Sequence, residues 1–210
     1  MHGLVQLHAV SQGNETTSSF VEKALGIYDL VDFIHIRERH WTVKQYVKVI
    51  ARIREHDPQL TKLVINDRVD VATMYNVQNI HLPSHGHEVI GVKRHFPHLQ
   101  IGCSVHDVIE AKLQAQNQID YLFFGHVFQT TSKQGLQARG LAQLKQVVDA
   151  VTTPVIAIGG ITPDNIAEVV EVGVAGVAIM SGIFAAEDCQ KAVRQYRQKL
   201  NDRKVDNHGS

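Results

Sequence analysis

A single (β/α)8 TIM barrel of the α/β class is the fold this sequence predicts, on three observations. Short apolar runs rich in β-branched residues alternate with longer amphipathic segments from end to end, the pattern of parallel strands covered by helices. Several runs are too evenly apolar to keep one wet face, as strands buried on both sides require. The strand–helix pairs number eight and recur about every 25 residues, which favours a closed barrel over an open sheet.

In order, Leu4 to Val10 reads as the first strand and Ser19 to Asp29 as its helix. Asp32 to Arg37 and Thr42 to His56 follow, with Thr42 after Trp41 placed to cap the helix. Lys62 to Asn66 pairs with Arg68 to Asn76, and Asn79 to Leu82 with His87 to Phe96. Gln100 to Val105 precedes His106 to Asn117, and Asp120 to Phe124 precedes Leu141 to Ala150. Pro154 to Ile158 leads into a helix over Pro163 to Val172, where Thr162 predicts an N-cap and Pro163 the first helical position. Gly176 to Met180 and Glu187 to Leu200 complete the ring. No linker interrupts the series, so residues 1–200 form one catalytic domain, and the polar stretch Asn201 to Ser210 is expected to be a disordered tail.

Composition narrows the function. At 44% hydrophobic and 20% charged residues the chain has the material for an ordinary core. Lysine plus arginine balances aspartate plus glutamate, 21 against 21, leaving no general attraction for nucleic acid or an anionic membrane. The thirteen histidines are scattered and read as surface or strand-end residues. Cys103 and Cys189 form no CxxC or Cys/His cluster, so neither a disulfide nor a metal site is expected. The sequence shows no signal-peptide pattern and no apolar run of membrane-spanning length, which predicts a cytoplasmic protein. Small barrels often pair through their helices, so a homodimer stands open.

In such a barrel the site is built where strands end, and those ends are polar here: HIRERH, IND, CSVH, FFGHVFQTTSK, IAIGGI and IMSGIF. Gly159–Gly160 and Met180–Ser181–Gly182 end the last two strands, where glycine lets backbone N–H groups approach a phosphate. The alternative is that they serve only tight turns. Arg37 and Arg39 share a direction opposite to Glu38, so Arg37 is placed either to contact an anionic ligand or to brace the rim. His126 follows Gly125 at the end of strand six, where a proton-transfer group is placed, although a histidine there can also simply bridge loop backbone.

The ordered series HIRER, NDRVD, IHLP, IGCSVH, FGHVFQTTSKQGL, PVIAIGGITPDN and AIMSGIF resembles the thiamin phosphate synthase superfamily from about Leu4 to Leu200. The closer likeness is to its thiazole tautomerase branch. Synthases usually read GPVFPT-x-TK where this chain reads GHVFQTTSK, and the histidine replacing that proline is, by the resemblance, the tautomerase's proton shuttle, here His126. Synthases hold magnesium pyrophosphate with an Asn–Asp pair after strand three and another Asp after strand four; Asn66 and Asp67 match the first, and HLPSHGHE has no Asp for the second. Where synthases carry glutamine and lysine around a shared arginine, this chain has His35 and Arg39 around Arg37. Ser104, Thr130, Lys133, Gly159, Gly160 and Ser181 match family positions and imply a phosphorylated thiazole ligand. The implied activity is a cofactor-free isomerisation that aromatises a carboxythiazole phosphate, its phosphate on the Gly159–Gly160 and Ser181–Gly182 amides and its carboxylate on Arg37 or Lys133. Two alternatives stand beside it: a magnesium-dependent thiamin phosphate synthase, and a non-catalytic binder of a phosphometabolite that regulates a partner.

Overall fold

The computed structural model describes residues 4–131 and 135–206. Eight parallel strands close into one barrel in chain order: β1 (Gln6–Val10), β2 (Phe33–Ile36), β3 (Leu63–Asn66), β4 (Asn79–Leu82), β5 (Gln100–Val105), β6 (Tyr121–Gly125), β7 (Val155–Ile158) and β8 (Gly176–Ile179). Closure comes from β1 pairing with β8, Leu7 beside Val177 and Ala9 beside Ile179. Around the ring lie α1 (Thr17–Ile27), α2 (Val43–His56), α3 (Val69–Met74), α4 (Val89–His95), α5 (Val108–Gln116), α6 (Gly140–Ala150), α7 (Ile166–Glu171), α8 (Ser181–Phe184) and α9 (Cys189–Asp206).

Strand alternation divides the core in two. In β1, Leu7 and Ala9 join the large cluster between sheet and helices, with Phe20 and Ala24 of α1 and Ile50 and Ile53 of α2. Gln6, His8 and Val10 take the other face, and inside the barrel Val10, Phe123, Ile156 and Ala178 form a second, smaller cluster. The interior is packed, as barrel interiors are, but it also carries polar side chains.

Helix starts follow local chemistry. Thr16 caps α1 by accepting from the Ser19 N–H, and Asp107 caps α5 by accepting from Glu110. Thr42 and Gln45 form a reciprocal capping box at α2, as Thr42 led the sequence to predict. Because Thr42 is exposed, Thr42→Ala should act on the cap alone: we expect a loss of about 1 kcal/mol of stability, read as a lower urea midpoint with an unchanged slope.

The model departs from the sequence reading in three places. First, Thr162–Pro163 does not start α7; residues 163–165 form a turn and the helix begins at Ile166. The Asn165 side chain accepts from the Thr162 N–H at 2.8 Å and donates to the Gly160 carbonyl at 3.0 Å, which ties the turn back to the end of β7, and the Ile166 N–H donates to the Thr162 carbonyl at 3.0 Å. Second, a one-turn helix not predicted from sequence, α8, follows β8 directly, because Ile183 and Phe184 both donate to the Met180 carbonyl. Third, α9 continues through residues 201–206, so the expected tail is helical there, and residues 207–210 lie outside the described set.

Among the described residues no helix is long and apolar enough to cross a membrane. Cys103 and Cys189 are buried and unbridged, and burial pushes the Cys103 thiol up to about 12.

Candidate active site

The carboxyl ends of the strands open into a cavity of about 630 Å³. On one side stand the ends of β7 and β8. Gly159 and Gly160 both hold positive φ, +100° and +68°, where a side chain is strained. Space excludes one as well: a Cβ on Gly159 would lie 2.5 Å from the His126 Cβ, and one on Gly160 would lie 2.5 Å from the Gln129 carbonyl oxygen. Met180, Ser181 and Gly182 line the same side. Among the described residues the backbone N–H groups of Gly160, Ser181 and Gly182 donate no hydrogen bond, which leaves three donors on the cavity wall at the end where a helix starts.

His126 stands next to this wall, at the end of β6, and is 8% exposed. Its Nε2 is a buried polar atom with no hydrogen-bond partner among the described residues. The backbone around it is tied on both sides: Val127 and Phe128 donate to Ile158 and Gly159, and Arg139 donates to the His126 carbonyl. The Arg139 side chain adds a 3.1 Å bond to the Gly125 carbonyl. The Gly125–His126 peptide bond is cis. A buried ring nitrogen without a partner, on a fixed loop facing a cavity, is available to a ligand.

Across the cavity, β2 is followed by Arg37, Glu38 and Arg39, all of which line it. Glu38 is fully buried and its two oxygens accept from the Gly13 and Glu15 N–H groups at 3.0 and 3.1 Å. Arg37 is half-buried, donates once to the Gln12 carbonyl at 3.2 Å, and its pKa is lowered by desolvation and then by Arg39. A guanidinium held this way keeps donors for an anion.

Asn66 of β3 and Ser104 of β5 line the cavity opposite the glycine wall. Each is held from below by a buried histidine. His35 Nδ1 lies 3.1 Å from Asn66 Oδ1 and its Nε2 lies 3.0 Å from His8 Nδ1, while His8 Nε2 reaches Gln6 Oε1 at 3.3 Å. His81 Nε2 lies 2.9 Å from Ser104 Oγ, and its Nδ1 is 3.3 Å from the Tyr121 hydroxyl. Desolvation lowers the pKa of all three histidines, that of His35 to about 3, so they are neutral near pH 7. The expectation that histidines sit at surfaces and strand ends is corrected for these: His8, His35 and His81 are 1%, 0% and 3% exposed, and each ring is accommodated because polar partners inside the barrel satisfy its nitrogens.

Thr130 also lines the cavity, and Lys133 lies outside the described residues. The sequence reading missed His81, His8 and Tyr121, and named His35 only as a departure from the family pattern. The signal was present, since histidine is the third residue of β1, β2 and β4 alike.

The residues were also tested for a magnesium site. The carboxylates lining the cavity are Asp67 and Glu38, and both oxygens of Glu38 are already engaged by backbone. Magnesium prefers oxygen ligands in octahedral geometry, so one remaining carboxylate is a poor fit to a pyrophosphate–metal site.

Comparison with known proteins adds four findings. The family model described as thiamine monophosphate synthase matches residues 6–183. A thiamine-phosphate synthase of Pyrococcus furiosus is 37% identical over 149 residues, 71% of this chain and 70% of that protein. The structure of a thiamine phosphate pyrophosphorylase from Pyrococcus furiosus superposes with a TM-score of 0.81 at 29% identity, covering 96% of this chain and 98% of that one. The 3-hexulose-6-phosphate synthase of Salmonella typhimurium, at 14% identity and a TM-score of 0.71 over 94% of this chain and 99% of that one, shares the fold alone.

Proposed function

Because the chain belongs to the thiamine monophosphate synthase family, we propose that it serves thiamin biosynthesis as a thiazole tautomerase, an isomerase that aromatises a carboxythiazole phosphate. The observation that carries this reading is His126, which lines the cavity and whose buried Nε2 has no hydrogen-bond partner among the described residues.

The phosphate of the substrate occupies the Gly160, Ser181 and Gly182 amides. Ring carbons two and five lie across a five-membered ring from each other, so a phosphate arm on carbon five directs the carboxylate on carbon two towards Arg37, Asn66 and Ser104. His126 lies on the flank between these ends, because β6 stands between β5 and β7. Its Nε2 removes the proton from carbon two. The electron pair spreads into the carboxylate and along the ring to the exocyclic carbon, which takes the same proton back from His126. Nothing is oxidised or reduced and no group leaves; aromaticity drives the shift, and the cationic rim steadies the charge in transit.

The names of the relatives favour a second reading, thiamine-phosphate synthase, a transferase. The poor magnesium site and His126 count against it, and no step above passes through a metal. The purified protein, treated with EDTA, should accelerate conversion of the non-aromatic carboxythiazole phosphate followed by ultraviolet absorbance. Absence of acceleration there, with magnesium-dependent coupling of thiazole phosphate to pyrimidine pyrophosphate, would establish the synthase instead.

A further inference from the structure

We propose that Tyr121 and His81 are positioning residues that fix Ser104 as a hydrogen-bond donor to the substrate carboxylate. The argument is one of proton order along three side chains. Among the described residues the Tyr121 hydroxyl meets one polar group, His81 Nδ1, at 3.3 Å. The hydroxyl keeps its proton, since burial raises its pKa well above the ordinary value, and that proton has His81 Nδ1 as its acceptor. A neutral imidazole accepting at Nδ1 carries its own proton on Nε2. That proton points at Ser104 Oγ, 2.9 Å away. The hydroxyl of Ser104 therefore accepts from beneath, and its own proton is left for the cavity that Ser104 lines. The reverse order would leave the phenolic proton of Tyr121 with no acceptor among these residues.

His81 has no route to an imidazolium that would blur this order. Desolvation lowers its pKa, and the titratable groups around it among the described residues include His35 of β2, a ring 5.8 Å away, His8 of β1 and Tyr121 of β6. By contrast the chain Gln6–His8–His35–Asn66 ends in an amide at each end and is consistent with either proton direction, so it fixes no polarity at Asn66.

The consequence is kinetic, and it rests on the tautomerase reading. When carbon two loses its proton the carboxylate gains charge, so a donor aimed at it binds the transition state more tightly than the ground state. Ser104→Ala should lower kcat on the order of ten- to a hundredfold, with a smaller rise in KM. His81→Leu should do the same. The double variant should be no worse than either single one, because both remove one donor. His81→Gln, whose amide Nε2 can donate to Ser104, should restore most of the activity.

Two measurements keep the relay and the tautomerase reading separate. The ¹⁵N spectrum of the ligand-free protein should show His81 as a neutral ring protonated on Nε2 from pH 5 to 8, and Tyr121→Phe, which removes only the hydroxyl, should disturb that tautomer. A proton on Nδ1 in the unmodified protein overturns the proposal whatever the enzyme does. If the tautomer is as stated but the protein does not turn over, the failure lies with the tautomerase reading, and calorimetric titration with the aromatic carboxythiazole phosphate tests the donor: equal, non-additive weakening by Ser104→Ala and His81→Leu supports it, and additive weakening or none overturns it.

Discussion

His126→Ala should fold as the parent does and turn over the non-aromatic carboxythiazole phosphate more slowly by a factor on the order of a hundred to ten thousand, the range of a general acid–base group. Folding survives because Nε2 makes no hydrogen bond among the described residues, so its removal leaves no group newly unpaired. The neighbouring backbone is held by bonds that do not involve the ring: Val127 to Ile158, Phe128 to Gly159, and Arg139 to the His126 carbonyl. The glycine wall and Arg37 remain in place, so KM should change little while kcat falls. His126→Gln makes the test sharper, since an amide of similar reach can hydrogen-bond the ligand but cannot carry a proton between two carbons. Equal turnover by the unmodified protein and both variants would falsify the assignment of His126. A loss shared by binding and turnover would instead make the ring a contact.

The fold was legible because each strand is a contiguous apolar run, and such runs survive without tertiary help. β3, β4 and β5 fall within a residue of where the sequence places them. Predicted helix starts fall within two residues of the observed ones except at α7. At α2 the Thr42 cap marks the start, whereas at α7 a turn over 163–165, tied to the Gly160 carbonyl by Asn165, precedes the helix at Ile166. The strand-end residues of the candidate site were readable because barrel topology brings consecutive strand ends to one rim. What stayed hidden was the layer beneath. A histidine in an apolar run looks like an isolated exception until closure sets β1 beside β2 and β4 beside β5, and only then does His8 meet His35 and His81 meet Ser104. Lys133, implied by resemblance to meet the carboxylate, lies outside the described residues.

That hidden layer predicts an acid-labile barrel. His8, His35 and His81 are buried and neutral, with pKa values depressed mainly by desolvation. In the unfolded chain each titrates near 6.5, so below that value the unfolded state binds protons that the folded state refuses. Their depressed values therefore favour the folded state fully above about pH 6.5 and progressively less as pH falls towards about 3, where His35 itself titrates. Between pH 7 and pH 5 His35 should remove about 2 kcal/mol, a sizeable share of the 5–15 kcal/mol typical of a domain, and His8 and His81 act in the same direction. Carboxylates cannot mimic this window. Asp57 and Asp70 also have lowered values, but an aspartate whose folded value lies below 3.8 releases its stabilisation only as pH falls towards and below that value. Urea unfolding at pH 7 and pH 5 should therefore show a large drop in midpoint, and His81→Gln, which removes one titrating ring while keeping a donor towards Ser104, should recover part of it. A midpoint that stays level from pH 7 to 5 would mean that the rings accept protons inside the barrel, and the proton order that makes Ser104 a donor could not then hold.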